Sequence, residues 1–430
     1  MPNQDRDDTK IETLARRVMA RCDRLALCSE EPDHLTRTFL SPPMREVHAD
    51  LREWMHSCHV TVRVDALGNL IGRYPAAEEP APALLLGSHL DTVPNAGRYD
   101  GVVGVLLALA VVEAFDARFR SGESRLPFAL EVIGFSEEEG VRFRTPYLGS
   151  RALSGQWEPS LLALRDKNGV RLDECLDAFG QDAAAIGAAV YSPSQVVGYV
   201  EAHIEQGPVL EKQALPVGIV SAVAGQTRCR LRFMGRAAHA GTTPMGLMRQ
   251  DALVGAAEFI GAVEAAGQAT PGLVATVGAI TVLPNASNVI PGAAQISLDV
   301  RHARNTVREE AVAGLLEQAQ RIAGRRGLHC QTLDRYDFAA VPMDADLRTL
   351  LAEAVEELGF PAHEMVSGAG HDAVMMAQLA PSAMLFLRGP NGGISHHPDE
   401  TVFEEDVATA LRVLVSLVEK VAASKEDENE

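Results

Sequence analysis

Three consecutive stretches in the first third of the chain leave little freedom in how it folds. Ala83–Gly87 reads ALLLG, Gly101–Phe115 is crowded with Val, Leu and Ala, and Ala129–Phe135 reads ALEVIGF. The outer two have the length of strands and the middle one the length of a helix. Neither strand run alternates apolar with polar residues, so each is expected to be buried on both sides. That happens where helices cover both faces of a parallel sheet. In such sheets the groups that do chemistry stand just past the carboxyl ends of strands. Attention therefore falls on the residues after Gly87 and after Phe135.

The rest of the chain organises around this core. Helical periodicity runs through Ile11–Leu27 and, after Pro42-Pro43, through Met44–Cys58. A hairpin is expected from Val60–Val64 and Leu70–Gly72 about the turn Leu67-Gly68-Asn69. Near residue 217 the pattern changes. Cys229, Leu231 and Phe233 alternate with Arg228, Arg230 and Arg232, the mark of a half-exposed strand. A helix at Asp251–Ala265, strands near Ala275–Val282 and Gln295–Arg301, a helix at Thr306–Ala323 and a strand at Leu328–Leu333 complete a β-α-β-β-α-β order, a ferredoxin-like unit. Helical α/β patterning resumes at Asp344–Leu358. A chain of 430 residues exceeds one typical core. The expected fold is thus an α/β catalytic domain with a mixed sheet, residues 1–216 and 336–430, and an inserted ferredoxin-like α+β domain, residues 217–335. The closing SKEDENE reads as a solvated charged tail.

Charge and composition remove several function classes. With 39 basic and 58 acidic residues the net charge is −19, which repels a phosphate backbone, so no nucleic-acid partner is expected. An anionic substrate would need a local basic group. No apolar run reaches the roughly 18 residues of a membrane span, so no membrane partner is expected either. The opening MPNQDRDDTK lacks the apolar segment of a secretion signal. The six cysteines form no CxxC pair. Scattered thiols suit a reducing compartment, and a cytoplasmic location is expected.

Polar clusters follow the strands as the core predicts. His89 and Asp91 sit in GSHLD, where positions i and i+2 of extended backbone share a side, so Asp91 can accept from the ring nitrogen of His89 that faces away from a metal. The alternative is a hydrogen-bonded pair at a strand end. Asp100, at the entrance to the apolar helix, is either an N-cap or a carboxylate bridging two cations. Glu137, Glu138 and Glu139 repel one another unless a cation neutralises them; one could bind metal while its neighbour takes a proton from water. A solvated acidic loop is the other reading. His203 lies in EAHIEQG, and His396 and His397 in GGISHHPDE, where at most one of the pair naturally faces a given site. Three histidines and two carboxylates at strand ends are the nitrogen and oxygen donors that Zn²⁺ or Mn²⁺ accept.

Together GSHLDTVPNAGRYDGVVGV, FSEEEGVRF, EAHIEQGPVLE, GRAAHAGTTPM, SNVIPG, DVRH, SGAGHDA and GGISHHPDE resemble the dinuclear-metal amidohydrolase/carbamoylase branch of the M20 metallopeptidases. The resemblance runs from about residue 60 to 415 in the family's domain order. It implies two divalent ions: His89 and His203 on one, Glu138 and His396 on the other, Asp100 bridging them. It implies Glu137 as general base, with Glu139 making that register ambiguous by one residue, and His397 as a non-ligand. It further implies that Arg301 clamps a substrate carboxylate, that Asn288 and Gln206 hydrogen-bond the substrate, and that His239 stabilises the oxyanion from across a dimer formed by the insert. His371 and Asp372 resemble a substrate-side loop.

The implied reaction is hydrolysis of a ureido C–N bond in a small anionic substrate. EEEGVRF…LGSRAL and MLFLRGPNGGISHHPDE look most like allantoate amidohydrolases, which would place the chain in purine catabolism and give ureidoglycine, ammonia and CO₂. N-carbamoyl-L-amino-acid hydrolase, β-ureidopropionase and ureidoglycolate amidohydrolase are the neighbouring activities. An M20 dipeptidase or aminopeptidase, or a metal-free scaffold keeping the fold, are the rivals. Domain closure is expected, since the clamp residues fall on the insert and the metal residues on the main domain.

Overall fold

The computed structural model describes residues 2–246 and 248–427 and divides into two compact units. The first comprises residues 1–221 and 343–430, the second 222–342. The boundaries read from the sequence, 217 and 335, fall earlier because Val217–Val223 runs in the sheet of the first unit and the last strand of the insert extends over His329–Phe338.

The first unit is built on a mixed sheet in the order Thr61–Val64, Leu70–Tyr74, Ala129–Phe135, Ala83–His89, Val196–Ile204, Ser382–Leu387, Val217–Val223, with Glu364–Ser367 beside the last. Its centre is parallel: Ala129–Phe135, Ala83–His89, Val196–Ile204 and Ser382–Leu387 all run the same way. The hairpin at one edge and Val217–Val223 at the other are antiparallel. Every residue of Ala83–His89 and of Ala129–Phe135 is buried, as the unbroken apolar runs require. Helix Val102–Arg120 lies on the sheet with almost its whole length buried, and the helices Pro2–Ala26 and Glu404–Asp427 pack against it. Arg37 staples this layer to the sheet. Fully buried, it donates to the carbonyls of Leu25 (2.8 Å), Cys28 (3.0 Å) and Leu90 (2.8 Å), the last directly after His89.

The second unit is an antiparallel sheet in the order Ile280–Leu283, Ala293–His302, Gly225–Met234, His329–Phe338, with Val274–Thr276 also paired to Ala293–His302. Helices Ala252–Ala269 and Asn305–Arg325 cover one face. Cys229, Leu231, Phe233, Ile296, Leu298 and Val300 point into that core. Arg228, Arg230 and Arg232 therefore occupy the opposite face, as their alternation predicts. The strand expected near Ala275–Val282 is two short pieces, because Ala279 N–H donates to the Ser297 hydroxyl (2.9 Å) where a ladder bond would continue.

Candidate metal centre

The four central parallel strands deliver their polar residues to one end of the sheet. His89 closes the first strand, Glu137–Glu139 follow the next, His203 is the penultimate residue of the third, and His396 lies in the loop after the fourth. Asp100 enters from the loop before helix Val102–Arg120. That helix starts at Gly101, with φ +66°, where a Cβ would lie 2.5 Å from the His89 ring; only glycine brings the backbone this close. No side chain caps this helix, so Asp100 is not an N-cap. Its two oxygens instead face different histidines. Oδ1 lies 3.1 Å from His203 Nε2 and 3.7 Å from His89 Nε2, while Oδ2 lies 3.2 Å from His396 Nε2. The Nε2 atoms of His89 and His203 are 3.4 Å apart.

The resemblance left the register of the acidic loop open by one residue, and the geometry favours the later one. Glu139, not Glu138, stands beside His396, with Oε1 3.5 Å from its Nε2. Glu138 converges with His89 and Glu139. Glu137 turns back into its own loop: one oxygen accepts from Gly140 N–H (2.6 Å) and the other is buried without a partner among the described residues. The tight turn at Gly140 (φ +68°) forces this, since it folds the first carboxylate inward as it presents the next two. Asp91 also differs from expectation. The His89 Nδ1 contact is mainly to the Asp91 backbone carbonyl (3.0 Å), with the carboxylate at 3.5 Å. That carboxylate accepts from the Glu138 and Glu139 backbone N–H groups (3.0 and 3.2 Å) and so shapes the acidic loop.

Charge is the organising problem of this cluster. Burial raises Asp100, but hydrogen bonds with His203, His396 and His89 overturn it and hold the carboxyl well below its usual range. Burial works against a charged His89 ring, yet Asp100, Asp91 and Glu138 hold its pKa well above the ordinary imidazole value. Glu138 is pushed well above the usual carboxylate range by burial and by Glu139, against the pull of His89. Burial and then Asp100 push Glu139 up to about 7. Left to itself, such a cluster keeps protons to balance its charge. A divalent cation replaces those protons and satisfies the same lone pairs.

The donor set fits such a cation. His89, Asp100 and His203 converge within 4.8 Å of one another, as do His89, Glu138 and Glu139, and Asp100, Glu139 and His396. All are nitrogen or oxygen donors, and most are buried. Ligands about 2.05 Å from a tetrahedral zinc lie about 3.3 Å apart, close to the spacing of the two Nε2 atoms.

Gln206 stands against this centre. Its amide donates to both Asp100 oxygens (3.2 Å each) and to Ser395 Oγ (3.1 Å). The remaining expected residues belong to the second unit. His239 lies on the two-residue strand Ala238–His239, paired with Val289–Ile290, and Ala240 N–H donates to the Asn288 carbonyl (2.9 Å), so His239 and Asn288 are neighbours. His239 Nδ1 accepts from Gly241 N–H (3.1 Å), which leaves the proton of a neutral ring on Nε2. Arg301 extends from the helix-free face of Ala293–His302 and pairs with Asp299.

Residues 85–420 match the model of peptidase family M20/M25/M40. The chain belongs to this family. An allantoate deiminase of Glycine max is 37% identical over 97% of this chain and 92% of its own length. An N-carbamoyl-L-amino-acid amidohydrolase of a Pseudomonas strain is 38% identical over 89% of this chain and 92% of its own. A solved amidase of the hydantoinase/carbamoylase family from Burkholderia multivorans superposes with a TM-score of 0.88 at 31% identity, covering 95% of this chain and 98% of that one. These M20 relatives agree with the expected α/β architecture and with a hydrolase of linear C–N bonds.

Glu400, Glu211 and Glu201 escaped the sequence reading, while His371 and Asp372, expected on a substrate-side loop, are buried beside the M20 centre. Glu400, the last residue of SHHPDE, accepts from Tyr99 and Asp100 N–H (2.9 and 3.0 Å) and from Ser395 Oγ (2.9 Å), tying the Asp100 loop to the His396 loop. Glu211 accepts from Asn391 and Gly392 N–H (3.0 and 2.6 Å), where three successive residues with positive φ carry the chain towards His396. Glu201 and Asp372 form a buried acid layer, held by Ser88 Oγ (2.8 Å) and Ala373 N–H (3.0 Å) on one and by Ser150 Oγ (2.5 Å) on the other. His371 packs edge-on against the His203 ring (4.5 Å) and meets the Ser367 hydroxyl at 2.9 Å. The signal for Glu201 was its alternation with His203 in EAH: i and i+2 of one strand share a side.

Proposed function

We propose that the chain hydrolyses the ureido C–N bond of a small ureido acid, allantoate first among the candidates, with two divalent ions, Zn²⁺ or Mn²⁺, in each subunit. The observation that carries this reading is the split of Asp100, one oxygen towards His203 and His89 and the other towards His396. A carboxylate arranged in this way suits a bridge between two ions. His89 and His203 would complete one ion, Glu139 and His396 the other. Bound there, the ions would polarise the ureido carbonyl and lower the pKa of a water.

The chain's own groups do the rest. Glu138 takes the proton of the attacking water and returns it to the leaving nitrogen. This moves the base one residue from Glu137, whose carboxylate is engaged by Gly140. His239 donates its Nε2–H to the developing oxyanion. Arg301 takes the substrate carboxylate with its planar fork. Gln206 and Asn288 are assigned to the substrate's polar groups. With allantoate the products are ureidoglycine, ammonia and CO₂, a step of purine-nitrogen recovery that suits a cytoplasmic enzyme. The second reading, an N-carbamoyl-L-amino-acid hydrolase, keeps every role and draws on the Pseudomonas relative.

The proposal also makes the chain a homodimer through its inserted unit, with His239 serving the partner's centre. The first test is ammonia release from metal-reconstituted protein given allantoate and N-carbamoyl-L-amino acids in parallel. Turnover of allantoate alone supports the first reading, and turnover of carbamoyl amino acids alone replaces it with the second. Cleavage of dipeptides with neither ureido substrate turned over would sink both.

A further inference from the structure

Arg301 does not stand alone on its strand. In Ala293–His302 the residues alternate, with Ala294, Ile296, Leu298, Val300 and His302 buried, so Asp299 and Arg301 share the face opposite helices Ala252–Ala269 and Asn305–Arg325. There the pair is joined fork to fork: Arg301 Nε donates to Asp299 Oδ1 and Nη2 to Oδ2, each at 3.0 Å. Two residues of the neighbouring strand hold the same carboxylate. Gln226 Nε2 donates to Oδ2 at 2.7 Å and Arg228 Nε to Oδ2 at 3.2 Å. The register places Arg228 directly opposite Asp299 and Gln226 directly opposite Arg301, so all four side chains are fixed by the ladder.

We infer that Asp299 is a positioning residue for substrate recognition: it locks the Arg301 guanidinium in one orientation before the substrate carboxylate arrives. The inference rests on the clamp role given to Arg301 above. A guanidinium on a long flexible stem loses rotamer freedom when it grips a carboxylate, and a partner that has already fixed the stem removes that cost from binding. Four hydrogen bonds on one carboxylate exceed what a surface ion pair needs, and Arg228 leaves the cluster with a net positive charge for an incoming anion. The carboxyl stays ionised: partial burial works against its charge, but Arg301 and Arg228 outweigh it and keep its pKa below the usual range. An Asp299 that merely blocked the clamp would compete with the substrate, and its removal would tighten binding. Positioning predicts the reverse.

The test measures KM and kcat of metal-loaded D299N and D299A against a ureido acid that the wild type turns over, and against the corresponding carboxamide. Positioning predicts KM for the acid higher by roughly 3- to 10-fold, with kcat near wild type and KM for the carboxamide unmoved. Made in an R301A background, D299N should add nothing further. An unchanged or lowered KM for the acid overturns the inference. So does a rise shared by the carboxamide or persisting without Arg301, because a general weakening of the strand would produce it. If R301A itself leaves the KM of the acid unchanged, the clamp fails and this inference falls with it. A large effect of R301A beside none of D299N removes Asp299 alone.

Discussion

The two units hold the residues proposed for metal and for substrate in opposite ways. In the first, Asp100, Glu138, His89 and His203 are buried at the ends of parallel strands, and like charges crowd within a few ångströms. In the second, His239 on its short strand and Asn288 on the facing turn are exposed, and Arg301 lies half-buried on a sheet face among paired charges. The contrast follows from the work each set is given. Metal donors must converge and stay converged, so they need a rigid frame, and their desolvation is repaid only by the ion. Groups that meet a substrate must remain reachable, and their charges are kept in check by neighbours such as Asp299 rather than by burial.

The largest effect should separate the acidic residues of the first unit. E138Q should lower kcat by about 10³-fold with metal content unchanged, as expected for loss of a general base. E137Q, whose amide oxygen can still accept from Gly140, should stay within a few-fold of wild type. Metal analysis and steady-state rates on both variants decide this. A large loss in E137Q with E138Q near wild type would return the base to Glu137 and undo the register drawn from His396 and Glu139. In the second unit, H239A should lower kcat by about 10²-fold, the scale of one lost oxyanion donor. Mixing the two inactive variants sharpens the comparison. If His239 serves the partner's centre, a heterodimer of E138Q and H239A chains regains one intact site. No recovery after subunit exchange would confine His239 to its own chain.

What the sequence made legible follows the same division. The unbroken runs ALLLG and ALEVIGF read as buried strands, and strand ends are where an α/β sheet keeps its chemistry, so the places of His89 and Glu137–Glu139 could be read from position, while their roles and that of His203 came from resemblance. The register of Glu137–Glu139 was not, because three identical residues differ only in how the turn at Gly140 aims them, and φ is not written in the letters. Asp91 was placed beside His89 correctly, but its backbone carbonyl reaches the ring first, which side-chain spacing cannot foresee. Glu400 and Glu211 act across hundreds of residues or between loops. Their partners are backbone N–H groups, which every residue carries and no motif marks. Arg301 came from resemblance, and its tie to Asp299 was nonetheless available from i, i+2 spacing on a half-exposed strand.

The smallest effect concerns the frame of the first unit rather than its centre. His48, on helix Pro42–His56, is buried with its ring edge-on to Phe179 (5.8 Å), and its Nε2 has no partner among the described residues. Burial, then the charges of Arg52, Arg45 and Arg37, push its pKa down to about 4. The unfolded ring titrates near 6.5, so between these values the unfolded chain binds more protons than the folded one. Stability is therefore flat above the unfolded value and falls as the pH drops through the window. For this one ring the fall from about pH 7.5 to about pH 5 is about 2 kcal/mol. Denaturant unfolding of wild type and H48F at both pH values isolates it, since the carboxylates and histidines of the metal centre contribute equally to both proteins. H48F should lose less stability on acidification by that amount, with hydrogen exchange showing the difference in the first unit and not in the second. Parallel losses in the two proteins would mean that the ring is protonated in the folded state and that the metal centre, not the core beneath it, governs how the first unit answers to acid.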